Sequence, residues 1–176
     1  MKKAIVAGGC FWCTEAVFKS LKGVIDAVPG YIGGAKANPT YEEVCTGETG
    51  HAEAIEITYN EHEISYTELL EIFFATHNPT TLNRQGEDVG TQYRSEIFYV
   101  DEGQKQAALE YIGILNDEKV FDQPIVTQVS PASTFYVAEE YHKNYFERKG
   151  TENPYCQMVV KPKVEKFKKN YASKLK

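Results

Sequence analysis

The stretch that most constrains the fold opens the chain. Lys3 to Ala7 reads as a short strand, Gly8-Gly9 as a tight turn, and a helix is expected from about Phe11 to Leu21. Val17, Phe18 and Leu21 form the apolar stripe of that helix, and Gly23 stands where a C-terminal cap belongs. A strand from Val24 to Ile32 follows, ended by Gly33-Gly34, and Tyr41 to Cys45 allows one helical turn. Ala52 to Tyr59 alternates strictly and reads as a half-buried strand. Ser65-Tyr66-Thr67-Glu68 is a capping box that opens a helix closed by Asn78-Pro79. Further along, Ile97–Val100 is predicted as a strand, and Asp101 caps a helix to about Asn116. A strand at Ile125–Val129 and a helix at Ala138–Arg148 complete the pattern. Strands and helices intermingle around one sheet, so the class is α/β or α+β in two layers. Two long polar loops, 35–50 and 78–93, interrupt the pattern, and loops of that length in a compact domain tend to be functional.

Composition narrows the classes. The 176 residues favour one domain spanning 1–176, with 150–176 as a polar, lysine-rich C-terminal tail. At 42% hydrophobic and 25% charged residues the chain is an ordinary globular sequence, not a disordered or fibrous one. No apolar run approaches the roughly 18 residues of a membrane span. The four-residue apolar stretch near Met1 falls short of the roughly 7–15 of a secretory signal, so Met1 is taken as the mature start. A cytoplasmic location, where thiols stay reduced, is then expected. The net charge of -6 argues against nucleic-acid binding. Seven lysines against Glu165 give residues 161–176 a local excess of +6, read as a solvated terminal segment.

The cysteines are Cys10, Cys13, Cys45 and Cys156. Cys10 follows the Gly-Gly turn and starts a helix, whose unpaired N–H groups and positive partial charge favour a reactive thiolate. Phe11 and Trp12, the only tryptophan, offer an aromatic wall for an apolar or sulfur-bearing group. Cys10 and Cys13 form a C-x-x-C pair, open to a redox dithiol or half a zinc site. On the 52–59 strand, Glu53 shares a face with Ile55, Ile57 and Tyr59. A carboxyl group partly buried there has a raised pKa, as a general acid near neutrality requires. The polar loops add Tyr41, Tyr93 and Asp88, and phenols beside a thiolate can hold a polar oxygen of a substrate. A Cys–His pair with His51 or His142 has no local signature.

Three motifs in order, Gly9-Cys10-Phe11-Trp12, Gly50-His51-Ala52-Glu53, and Asp88 followed by Gly90-Thr91-Gln92-Tyr93-Arg94-Ser95, resemble the A-type peptide methionine sulfoxide reductases over residues 3–160. The resemblance implies a two-layer α/β sandwich with a mixed central sheet and a ferredoxin-like core. It implies reduction of the S epimer of methionine sulfoxide, free or in proteins. Cys10 would attack the sulfoxide sulfur, Glu53 would supply the acid, and Tyr41 and Tyr93 would hold the oxygen. Phe11 and Trp12 would receive the methyl group, while Asp88 and His142 would line the substrate groove. Cys10 would end as a sulfenic acid, which a second thiol converts to a disulfide for thioredoxin or another dithiol to reduce. No metal or organic cofactor is expected, and a monomer is.

The chain departs from the common family pattern at Cys13, where many relatives have Gly, at Lys143, where Gln is more usual, and in having Cys156 as its one C-terminal cysteine. Cys156 is favoured as the resolving thiol because it lies between Gly150 and Pro162, in a segment expected to be mobile. Cys13, one helical turn from Cys10, is the alternative, and Cys45 is read as packing. Rival readings are a thioredoxin-like dithiol exchanger using Cys10 and Cys13, and a zinc-held binding module.

Overall fold

The structure is a computed structural model that describes residues 1–176. Its strands are β1 (Lys2–Gly8), β2 (Val24–Ile32), β3 (Ala52–Tyr59), β4 (Arg84–Gln85), β5 (Asp88–Val89), β6 (Ser95–Tyr99), β7 (Gln128–Pro131) and β8 (Tyr136–Val137). Its α-helices are α1 (Phe11–Lys19), α2 (Tyr41–Cys45), α3 (Tyr66–Ala75), α4 (Glu102–Asp117), α5 (Tyr145–Lys149) and α6 (Lys161–Asn170). Six strands form one sheet in the order β7-β6-β1-β3-β2-β8, and β4 and β5 pair as a separate hairpin. Within the large sheet every pairing is antiparallel except β6 with β7. The central order β6-β1-β3-β2, with α1 joining β1 to β2 and α3 lying between β3 and β6, is the ferredoxin-like arrangement.

The alternation of β3 explains the layers. Ile55, Ile57 and Tyr59 join Ala4, Val6 and Ile97 in a core that Phe18 of α1 and Leu69, Leu70 and Phe73 of α3 cover. Ile5, Ala7, Ala52, Ala54 and Phe98 face the other way into a smaller cluster with Ile32. Local capping works as read: Ser65 Oγ accepts from Glu68 N at 3.1 Å, and Asp101 Oδ1 from Gln104 N at 2.8 Å.

Four elements differ from expectation. Helix α1 stops at Lys19, because Leu21 pairs its backbone with Leu175 in an isolated bridge. The strand expected at Ile125–Val129 is displaced to Gln128–Pro131; Val126 N–H is taken by Pro79 O at 2.8 Å instead of a ladder partner. The helix expected over Ala138–Arg148 is replaced by a 3-10 turn at Glu140–His142 and the short α5. Asn144 breaks it with a left-handed φ of 53°. Its N–H donates to the buried Glu15 Oε2 at 3.0 Å, and its Oδ1 accepts from Lys19 Nζ at 2.7 Å, so contacts to α1 override helix propensity. The lysine-rich stretch after Gly150 is folded rather than trailing. A π turn at Cys156–Val160 leads into α6, and Val160, Val164 and Phe167 are buried. The lysines occupy the outer face of an amphipathic helix, which composition alone reads as a solvated tail.

Candidate active site

Register builds the site. Val6 pairs with Ile55, so continuing the antiparallel ladder brings Glu53 level with the end of β1, where the chain turns through Gly8-Gly9 into α1. Gly9 has a φ of +90°, and a Cβ there would lie 2.7 Å from Gln85 Cγ, so both backbone conformation and space demand glycine. Cys10 is the N-cap residue of α1 and is partly exposed. Its own side chain makes no capping bond. The first free N–H of the helix, on Phe11, donates to Glu53 Oε1 at 3.2 Å. Glu53 therefore caps the helix from a strand 42 residues on.

Glu53 is 2% exposed, more deeply buried than the sequence implied. Burial raises its pKa to about 8, outweighing the Phe11 N–H bond that favours the carboxylate, with a smaller upward push from Asp88. Its Oε2 is buried without a hydrogen-bond partner. With Oε1 accepting from Phe11, the proton of the neutral acid belongs on Oε2.

Cys10 differs from the sequence expectation of a ready thiolate. Burial, then the nearby Glu53 carboxyl, hold the thiol well above its ordinary value, and the Trp12 N–H at the helix start only partly opposes them. The helix terminus favours the thiolate, but desolvation wins. At rest the Cys10–Glu53 pair holds both its protons.

Around this pair stands an aromatic enclosure. Phe11 is 1% exposed and packs against Tyr31, Tyr41 and His142, with ring centroids 5.7, 6.3 and 5.0 Å away. Trp12 stacks on Tyr145 at 3.9 Å, with Tyr155 edge-on at 6.1 Å. Tyr41, from α2, and Tyr93, from a 3-10 turn at Thr91–Tyr93, lie close enough to Glu53 and Cys10 that these groups, after burial, help raise both phenol pKa values. Both phenols thus remain donors. The two long polar loops are the segments that deliver them.

His142 and Asp88 are already engaged. His142 is fully buried behind Trp12, where Nδ1 accepts from the indole Nε1 at 3.0 Å. Burial lowers its pKa, so the ring is neutral with its proton on Nε2. The structure thus places His142 as the anchor of Trp12 rather than on an open groove surface. The Asp88 carboxylate accepts the Tyr155 hydroxyl, which also faces the Cys10 thiol.

The other thiols lie elsewhere. Cys13 and Cys156 are buried together with Val160 and Val164, and burial raises Cys13 to about 11. Cys156 is 0% exposed, the opposite of the mobile thiol anticipated, because the π turn seats it against α1. Cys45, read as packing, is exposed on the last residue of α2. All four cysteines are unpaired. No three His, Cys, Asp or Glu side chains converge on a common point, so the ligand set of the zinc-held module is not assembled. No helix is long and apolar enough to cross a membrane.

Sequence reasoning missed three supports. Tyr155 stands between Asp88 and Cys10, and Tyr145 covers one face of Trp12. His51 is buried, with Nδ1 accepting from Gly34 N at 3.0 Å and Nε2 donating to Lys36 O at 2.6 Å, so it ties the first polar loop to the start of β3. The Gly-His-Ala-Glu run held the signal for His51; the tyrosines were hidden among 12.

The comparisons bear on the family and the fold. The sequence model described as "Peptide methionine sulfoxide reductase" matches residues 2–175. The chain is 55% identical over 175 residues to the peptide methionine sulfoxide reductase MsrA of Deinococcus radiodurans, covering 99% of this chain and 84% of that one. Among solved structures, reduced Mxr1 from Saccharomyces cerevisiae aligns with a TM-score of 0.81 at 34% identity, covering 88% of each chain. Mxr1 in complex with Trx2 aligns at 0.59 and 26% identity, covering 82% of this chain and 84% of that one. Family model, relatives and fold converge: the chain belongs to the peptide methionine sulfoxide reductase family, enzymes that return methionine sulfoxide to methionine.

Proposed function

We propose that Cys10 is the nucleophile and Glu53 the acid of this reductase, which acts on the S epimer of methionine sulfoxide. The observation that carries the assignment is the buried Glu53 carboxyl, joined to the residue after Cys10 through Phe11 N–H and leaving Oε2 without a partner. The Cys10 sulfur attacks the sulfoxide sulfur while Glu53 gives the Oε2 proton to the sulfoxide oxygen. Tyr41 and Tyr93 donate hydrogen bonds to that oxygen, and Phe11 and Trp12 enclose the methyl group. The S–O bond breaks as the oxygen leaves as water with the Glu53 proton and the thiol proton. Water then attacks the Cys10 sulfur, the new S–S bond breaks to release methionine, and the freed proton returns to Glu53, so the net step converts thiol plus sulfoxide into sulfenic acid plus methionine. A resting pair that holds both protons supplies this chemistry without a free thiolate. His142 serves through Trp12, and Asp88 meets the substrate backbone when Tyr155 leaves it.

Cys156 then condenses with the sulfenic acid, releasing water and forming a disulfide. Its burial requires the segment after Gly150 to open first, and the π turn at Cys156–Val160 is the place to unwind, since such turns recur at functional sites. Cys13, in the same buried cluster, is the alternative resolver or a relay. A thioredoxin reduces the disulfide; the yeast relative solved with Trx2 supports that partner. The whole chain acts as one catalytic unit, requires no metal or organic cofactor, and works in the cytoplasm.

The test is a reductase assay with separated sulfoxide epimers. Cys10→Ser abolishes turnover of the S epimer. Cys156→Ser releases about one methionine per enzyme and then stalls with thioredoxin. Undiminished cycling in Cys156→Ser assigns the resolver to Cys13. Activity confined to insulin disulfides, lost in Cys13→Ser, would favour the dithiol exchanger instead.

A further inference from the structure

We infer that Arg94 and Gln92 are positioning residues that hold the Tyr93 phenol at a fixed distance from Tyr41 across Glu53. The inference rests on the role proposed for Tyr93.

The side chain of Arg94 is 11% exposed and that of Glu96 is 5% exposed, and the guanidinium Nε donates to Glu96 Oε1 at 2.7 Å. A buried ion pair of this kind is weak evidence for stability, because apolar replacements of similar volume are often equally stable. Its geometry is the informative part. The Arg94 η1 nitrogen donates to Thr91 O at 2.9 Å, which fastens the 3-10 turn that carries Tyr93. Ser130 Oγ donates to Glu96 Oε2 at 2.6 Å, fixing the carboxylate from β7. The other guanidinium nitrogen fills space over Gly33 at the end of β2, where a Cβ would come within 2.7 Å of it and φ is +91°. One planar fork therefore spans β2, β6 and the turn. A lysine keeps the charge but not the fork.

On the other side of Tyr93, Gln92 is 5% exposed and its Nε2 donates to Cys45 O at 3.2 Å, at the end of the helix that begins with Tyr41. Its Oε1 is buried with no partner, so the carboxamide is held for the Nε2 bond alone. Thr91 Oγ1 adds a bond to Gly47 O at 3.4 Å. Residues on both flanks of Tyr93 thus anchor to different parts of the protein, and Tyr93 is left between them to face the site. None of these anchors uses the phenol.

The test is a double-mutant cycle read as kcat/KM for methionine S-sulfoxide. Arg94→Lys should lower it roughly ten- to a hundredfold, as a displacement on the order of 1 Å does. In a Tyr93→Phe background the same substitution should change it by less than about twofold, because the group it positions is gone. Equal losses in both backgrounds, or no loss in the first, overturn the inference. A silent Tyr93→Phe overturns it by a different route, removing the phenol role itself, so the two failures are separable. Should Arg94→Lys fold poorly, Ser130→Ala loosens only Glu96. It should show a smaller loss that also vanishes with Tyr93→Phe, and persistence of that loss counts against the inference equally.

Discussion

Glu53→Gln isolates the proton that the mechanism needs, and it does so without an activity assay. A carboxyl group with a folded pKa of about 8 and an unfolded value near 4.5 contributes stability that is fully present below pH 4.5. That stability is lost as pH rises toward 8, because the unfolded chain ionises freely and the folded one does not. Integrating the linkage gives a loss of about 1 kcal/mol at pH 5, about 3 kcal/mol at pH 7 and about 5 kcal/mol well above pH 8. Glutamine has no proton to lose, and its carbonyl can still accept from Phe11 N. Its NH₂ group replaces Oε2 without a partner, a pH-independent cost of about 1–3 kcal/mol. The informative quantity is therefore the slope. Urea unfolding of both proteins from pH 5 to 9 should show the variant gaining about 4 kcal/mol on the wild type. Groups that do not feel Glu53 contribute equally to both proteins and cancel in the difference, while Cys10, which does feel it, enters only toward the upper end of the range. A difference flat across that range would mean Glu53 ionises as it does in water. A difference moving the other way would mean the site stabilises the carboxylate, and the acid role would fall with it.

The same pKa sets the activity profile: kcat/KM should be level below about pH 8 and drop about tenfold per unit above it, whereas a rise from pH 7 to 9 would show that a scarce thiolate limits the reaction. Glu53→Gln should slow the chemical step by roughly 10²–10⁴-fold while leaving substrate affinity near the wild-type value, measured in single-turnover experiments. His142→Phe leaves the Trp12 Nε1–H without its acceptor and should cost about 1–3 kcal/mol in urea unfolding with a raised KM. Iodoacetamide mapping by mass spectrometry at neutral pH should label the exposed Cys45 first, with Cys13 and Cys156 protected until the C-terminal segment opens.

The parts of this enzyme that local rules govern were readable from its residues. The alternation of β3 placed Glu53 on the face of Ile55 and Ile57, the glycine pair put Cys10 at a helix start, and the capping signals at Ser65 and Asp101 marked their helices correctly. What escaped was set by contacts distant in sequence. Asn144 breaks an otherwise helical run because Glu15 and Lys19, on α1, claim its N–H and its side chain. The lysine-rich end looks like a frayed tail until Val160, Val164 and Phe167 find the surface of the domain. The protonation of Cys10 was misjudged for a related reason: helix polarity is local and visible in sequence, while the desolvation that outweighs it comes from the whole enclosure.

That enclosure also explains how a buried resolving thiol and a guarded nucleophile belong together. Tyr155 reaches Asp88 and faces Cys10, and the next residue in the chain is Cys156. Any motion that brings Cys156 toward Cys10 must withdraw the Tyr155 hydroxyl from Asp88, since one peptide link joins them. The segment that shields the site at rest is then the segment that delivers the second thiol, and exposure of Asp88 and release of Cys156 become a single event. Tyr155→Phe removes the tether and leaves Cys156 and its buried neighbours unchanged, so it should speed alkylation of Cys156 in the native protein. Unchanged alkylation would mean that the packing of Val160 and Val164, rather than the phenol, holds the segment closed.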